Sequence, residues 1–124
     1  MSDWLAQKAY DAMTENGFEP EFSPQVIEQV KQIKDEGMPS AEGIRDLRDL
    51  LWSSIDNESS RDLDQIEWAE QLENGDIRVL VGIADVDSRV GKDSPVDRHA
   101  AQNTVTVYTE SKIFPMLPVE FRPI

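Results

Sequence analysis

Cysteine is absent from these 124 residues and histidine occurs once. No disulfide can form, no thiolate can bind a metal, and a zinc centre built from several imidazoles is excluded. A hard cation held by oxygen ligands is left open. Basic residues are scarce: 12 Lys plus Arg stand against 25 Asp plus Glu, a net charge of -13. Such a balance favours solubility and argues against unselective binding to phosphate backbones or anionic lipid. Long apolar runs are missing too, none approaching the roughly 20 residues that a bilayer needs. The start, M-S-D-W-L-A-Q-K, has no basic segment followed by an apolar one. A soluble, cytoplasmic protein without a membrane partner is expected. No internal repeat or low-complexity tract occurs, and the oligomeric state is not readable.

What is present is enough for a core, with 39% apolar residues in a length that suits one domain, or one small domain plus an incomplete second. The acids are unevenly spread. Met1 to Asp85 holds 20 acids against 7 bases, whereas Val86 to Ile124 holds 5 of each. A polyanion would therefore bind toward the second part.

Ser2 or Asp3 is placed to cap a helix from Trp4 to about Asn16, with Trp4, Leu5, Ala9, Ala12 and Met13 near one face and Gly17 as its stop. Ser23 followed by Pro24 signals a second helix, to about Glu36, with Val26, Ile27, Val30 and Ile33 at helical spacing. Ser40 to Leu51 reads as a short helix or irregular linker, and Ser53 to Ile55 as a short extended piece. From Ile66 the period changes: I-E-W-A-E-Q-L alternates, N-G-D turns, and I-R-V-L-V-G-I-A-D-V is rich in β-formers. This is a β-hairpin with Asn74 and Gly75 at its turn, and its second strand is apolar enough to be buried on both faces. Ser94 and Pro95 announce a third helix, to about Thr104. The β-branched run from Thr104 to Tyr108 pulls toward strand. The tail, I-F-P-M-L-P-V-E-F-R-P-I, carries three prolines and is expected to lack regular structure.

Between Ser54 and Gln65, S-I-D-N-E-S-S-R-D-L-D-Q gathers Asp56, Asp62 and Asp64. Carboxylates repel, so such a cluster lies on a solvated loop or is held by a cation. Three readings compete. The first is a solvated acidic loop. The second is a calcium loop with ligands at Asp56, Glu58, Ser60, Asp62, Asp64 and Glu67, but Arg61 stands where the sharp turn needs glycine, and a strand pattern follows where a helix should exit. The third is a magnesium site. Asp62 and Asp64, two apart on an extended segment, project to one side, and Asp56 can approach from the preceding turn. Magnesium takes few protein carboxylates and completes its shell with water and substrate phosphate.

S-I-D-N-E-S-S-R-D-L-D-Q, then V-G-I-A-D-V, then the spacing through Asp97 to Tyr108, then I-F-P-M-L-P, resembles in order the start of the catalytic domain of the ribonuclease II and RNase R family. The resemblance covers about Gly43 to Pro118, with R-D-L-R-D-L-L similar to the lead-in. It implies a magnesium-dependent exoribonuclease that degrades single-stranded RNA from the 3′ end to nucleoside monophosphates. Asp56, Asp62 and Asp64 match three of the family's four metal-site aspartates. Tyr108 matches an aromatic residue that packs on the 3′-terminal nucleotide. Asp85 would hold a loop hydrogen bond, and His99, without a family role, is expected on a helix surface.

The sequence departs from that pattern in two places. Gln65 stands where the fourth aspartate would be, and its amide neither carries charge nor accepts a proton. The family's domain also continues well past P-M-L-P, with an arginine that stabilises the transition state, so the chain reads as the front piece of an exoribonuclease. The fold expected is α+β: a helical N-terminal segment over 1–50, then over 51–124 an incomplete mixed β-sheet of the family's catalytic domain, with an exposed apolar edge. The alternative is a non-catalytic RNA-binding or regulatory module on the same scaffold.

Overall fold

A computed structural model describes residues 2–36, 42–60 and 64–121. The chain divides into two compact units, one combining Met1–Met38 with Asp87–Phe121 and the other combining Pro39–Val86 with Arg122–Ile124. The architecture is α+β, as expected.

The first unit contains helix α1 (Ser2–Glu15), helix α2 (Pro24–Glu36), helix α3 (Pro95–Asn103), the short strands β3 (Val107–Tyr108) and β4 (Ile113–Phe114), and a single 3-10 turn at Val119–Phe121. Helix α1 begins ahead of the expected Trp4 and ends at a Schellman turn. Gly17 has φ 81°; its N–H donates to the Thr14 carbonyl at 3.1 Å and that of Phe18 to Met13 at 3.0 Å. The face foreseen for α1 is mostly unburied: Met13 enters the core, while Trp4, Leu5 and Ala12 are exposed. Helix α2 starts where Ser23 and Pro24 placed it, the Ser23 hydroxyl accepting from the Val26 N–H at 3.3 Å. Val26 and Val30 are buried, and Ile27 lies outside the stripe.

Ser94 caps α3 by accepting from the Asp97 N–H at 3.3 Å, and the Asp97 carboxylate accepts from the Asp93 N–H at 2.7 Å. The Gln29 side chain of α2 accepts from the Val96 N–H at 2.9 Å, joining the start of α3 to α2. Met13, Val26, Val30, Val90, Val96 and Phe114 form the core. The tail is more ordered than its prolines suggested. Ile113 and Phe114 precede Pro115 and pair with Tyr108 and Val107, so no ladder bond is asked of a proline. The ammonium of Lys112 stands over the rings of Tyr10 and Phe114 at 5.7 and 5.1 Å.

The second unit is the hairpin of β1 (Gln65–Gln71) and β2 (Ile77–Ile83), paired from Gln65↔Ile83 to Gln71↔Ile77. Its loop is closed by the Leu72 N–H on the Asp76 carbonyl at 2.7 Å, with Gly75 at φ 90° as the left-handed residue such a turn needs. Ahead of it, Gly43 to Leu51 forms turns without a helix, so the linker reading of that stretch holds. Ser53 makes an antiparallel bridge to Glu67. Trp52 donates its indole N–H to the Leu47 carbonyl at 2.9 Å and covers Gly82, where an added Cβ would meet Ile66 at 3.0 Å.

Two sheet expectations are corrected. Both sheets among the described residues are two-stranded and antiparallel, where a mixed sheet was expected. Strand β2 is also not buried on both faces: Ile77, Val79, Val81 and Ile83 are all exposed. A continuous apolar run marks double burial only when layers cover both faces, and only one face of this ribbon is covered.

Candidate functional site

The acidic stretch lies in the second unit, and its described residues ahead of β1 form loop and turn. Asp56 is exposed, just before a turn closed by the Ser60 N–H on the Asn57 carbonyl at 2.8 Å. Asp62 lies outside the described residues. Asp64 is exposed immediately ahead of β1, and its carbonyl accepts from the Ala84 N–H at 2.9 Å. That bond ties the end of the acidic loop to the open end of the hairpin, so the Asp64 backbone is held in an extended conformation.

Gln65 opens β1, and its side-chain amide donates to the Glu67 carboxylate at 3.2 Å. Adjacent residues of an extended segment project to opposite faces. Gln65 therefore shares a face with Glu67, while Asp64 points to the other side. Glu67 itself sits in a strand. The calcium-loop reading required a helix there, and the structure removes it.

Tyr108 is exposed on β3, opposite Ile113, in the other compact unit. Its ribbon is closed by the Thr109 hydroxyl, which donates to the Lys112 carbonyl at 2.6 Å and accepts from the Lys112 N–H at 3.0 Å. Among the described residues no three His, Asp or Glu side chains gather as a metal site. The structure places Asp56 and Asp64 in the hairpin's unit, on either side of residues 61–63, and places Tyr108 on a ribbon in the other unit. A pocket of about 370 Å³ lies elsewhere, lined by Phe22, Val26, Ile27, Val30, Val119 and Glu120 among others, and holds none of these residues. On its rim Lys34 pairs with Glu120 at 3.2 Å. The Glu120 carboxyl is held below the ordinary range, first by its own backbone N–H and then by Lys34, against the opposing effect of burial.

His99 corrects a sequence expectation. It is not on a helix surface but only 3% exposed, and its neighbour one turn on, Asn103, is 1% exposed. The Asn103 amide is oriented by the backbone of Glu19: its Oδ1 accepts from the Glu19 N–H and its Nδ2 donates to the Glu19 carbonyl, both at 2.8 Å. Nδ2 then faces His99 Nε2 at 3.2 Å, so Nε2 is the acceptor, and Nδ1 at 3.1 Å from the Glu19 carboxylate is the donor. The ring of Phe22 packs on the imidazole at 4.5 Å between centroids. The i, i+4 spacing of His99 and Asn103 was the available signal, but their partner lies some 80 residues away in sequence.

Comparison with known sequences settles the family. The RNB domain profile matches residues 44–122. This chain belongs to the RNB domain family. It is 41% identical over 101 residues to ribonuclease R of Escherichia coli, covering 80% of this chain and 12% of that protein. It is 47% identical over 74 residues to DIS3-like exonuclease 2 of Schizosaccharomyces pombe, covering 60% and 8%. Among solved structures, Mycoplasma genitalium RNase R in complex with ribose methylated single-stranded RNA superposes with a TM-score of 0.72 at 25% identity, covering 89% of this chain and 17% of that one. The chain thus spans about an eighth of the length of the E. coli relative.

Proposed function

We propose that this chain forms part of a magnesium-dependent, cytoplasmic exoribonuclease that degrades single-stranded RNA from the 3′ end to nucleoside monophosphates, with residues 51–124 as the start of its catalytic domain. The observation that carries the reading is the match of residues 44–122 to the RNB domain, a stretch that contains the whole acidic loop. The names of the relatives support RNA degradation, and the RNA held by the Mycoplasma neighbour supports single-stranded RNA as the substrate.

In this reading Asp56, Asp62 and Asp64 hold the cation. The donor chemistry fits, because Asp56 and Asp64 present exposed carboxylates, which are hard oxygen ligands suited to magnesium. The bound cation would offset phosphate charge and supply an activated water. The exposed ring of Tyr108 offers a stacking face to the terminal nucleotide, and stacking accepts any base because every base has a π-face. Gln65 contributes an amide in the role that a fourth carboxylate would have; its donation to Glu67 favours the second reading, a non-catalytic RNA-binding or regulatory module.

A chimera separates the two. Ribonuclease R of E. coli carrying the homologous 101 residues of this chain would be assayed on single-stranded RNA with and without magnesium. Slow, magnesium-dependent release of monophosphates is expected, falling at least about 100-fold with Asp64→Asn and rising with Gln65→Asp. Activity undiminished by Asp64→Asn would overturn the metal-ligand role. No hydrolysis even with Gln65→Asp would favour the non-catalytic module.

A further inference from the structure

The last turn of α3 is gripped by the connector between α1 and α2. Gln102 donates its side-chain amide to the Gly17 carbonyl at 2.6 Å. Asn103 engages both main-chain groups of Glu19, His99 donates to the Glu19 carboxylate, and Phe22 packs on the His99 ring. Gly17, Glu19 and Phe22 lie ahead of residues 44–122, which match the RNB domain, whereas α3 lies within them. A stretch outside the family match thus grips an element inside it, in one compact unit.

Directly after the gripped residue the backbone turns left-handed. Thr104 has φ 61° and ψ -23°, and its N–H donates to the Ala100 carbonyl at 2.7 Å. A β-branched side chain is poorly suited to that conformation, which glycine adopts freely. The Val105 N–H then donates to the Asn103 carbonyl at 2.7 Å, and the Thr106 hydroxyl accepts from the Met116 N–H at 3.0 Å. Val107 and Tyr108 of β3 follow at once. A strained turn persists only where its surroundings fix it. Here the fixing comes from Asn103 before it and from the Thr106–Met116 bond after it.

We propose that the connector is a clamp that positions Tyr108 for the terminal nucleotide, with Asn103 and His99 as positioning residues and the turn at Thr104 as the joint they hold. The Asn103 amide cannot rotate over, because that would set Nδ2 against the Glu19 N–H and Oδ1 against the Glu19 carbonyl. Its second Nδ2 hydrogen is taken by His99 Nε2, and His99 is fixed in turn by the Glu19 carboxylate and Phe22. The clamp therefore sets the direction in which the chain leaves α3, and with it the place at which the Tyr108 ring is presented. Stacking reads no base edge, so it depends on where the ring is held. The proposal rests on the stacking role given to Tyr108.

The test follows amide exchange at Val107 and Phe114 in the full chain labelled with ¹⁵N and ¹³C, with Val96 at the start of α3 as the internal control. Asn103→Ala is expected to speed exchange at Val107 and Phe114 about tenfold, and Gln102→Ala, at an exposed residue, about threefold, with Val96 unchanged. Thr104→Gly removes the strain that the clamp opposes, so adding it to either variant should return the rates to those of the unaltered chain. Oligoadenylate with magnesium is the probe for stacking. It should shift the Tyr108 ring signals saturably in the unaltered chain and in Asn103→Ala/Thr104→Gly, and bind about tenfold more weakly in Asn103→Ala. Should Asn103→Ala unfold the chain, Gln102→Ala with and without Thr104→Gly decides by the same criteria. Unchanged exchange at Val107 in Gln102→Ala, or a change of equal size at Val96, would overturn the clamp. Rates that stay fast with Thr104→Gly added, or equal oligoadenylate binding by a variant with fast exchange, would overturn the positioning role. A Tyr108 ring that ignores oligoadenylate in the unaltered chain, while the exchange results hold, would overturn the stacking reading and with it the purpose assigned to the clamp.

Discussion

The two compact units of this chain differ in what they bury. Every buried residue among those described, the six core residues together with Pro118, His99 and Asn103, belongs to the unit of helices and short ribbon, while the described residues of 42–86 include none. Conversely, the acidic loop and the exposed stripe of β2 belong to the hairpin unit. One unit is therefore held by a core and a buried polar network, the other by a backbone ladder with a single covered face. The stable unit is poor in candidate chemistry, and the unit that carries the carboxylates has little packing to fix them. A two-stranded ribbon is marginal in water without cover.

The largest test of this contrast is Phe114→Ala. Phe114 is 1% exposed and packs in the core, so its truncation should cost about 3–5 kcal/mol. Urea unfolding followed by helical circular dichroism would measure it, with the loss of amide protection confined to the helical unit. An equal loss of protection in the hairpin would dissolve the distinction drawn here.

A smaller effect probes the other unit. Gly75 adopts φ 90° at the hairpin turn with nothing within 4 Å of an added Cβ, so Gly75→Ala meets backbone strain alone. A loss of about 1 kcal/mol is expected, read as faster exchange across β1 and β2 with the helical melt unchanged.

The smallest effect is electrostatic. Arg48 donates to the Asp46 carboxylate through its guanidinium and its backbone N–H, lowering the Asp46 pKa from 3.8 to about 2. The folded value is the depressed one. The pair therefore contributes above about pH 4, and its contribution is lost as the pH falls through about 2. Both side chains are exposed, so the contribution is small and screened by salt. A carboxyl ¹³C titration of Asp46 with its midpoint near 2, moving upward in high salt, would sharpen the picture of a lightly held loop.

How much of this could be read from the sequence follows from the range of each interaction. The starts of α2 and α3 were legible because a serine and the proline after it act locally, and the hairpin because an Asn-Gly turn sits between two β-rich runs. The family was legible from four ordered blocks. The burial of His99 was not, because its partner is Glu19, far away in sequence and fixed only once α3 lies on the connector after α1. Nor was the exposure of β2: an apolar run states what a strand could bury, not what lies against it. At the site, the alternation that puts Gln65 on the face opposite Asp64 was implicit in the extended reading of the stretch. It became definite with the Asp64–Ala84 bond that fixes the strand's beginning.

The central claim is that Asp56, Asp62 and Asp64 together hold a magnesium ion. The most direct measurement is a magnesium titration of the ¹³C-labelled chain that observes all side-chain carboxyls. Saturable shifts concentrated on those three, and lost for all three together in Asp64→Asn, are predicted. Shifts spread evenly over the chain's acids, or a response at Asp56 that persists unchanged in Asp64→Asn, would contradict it.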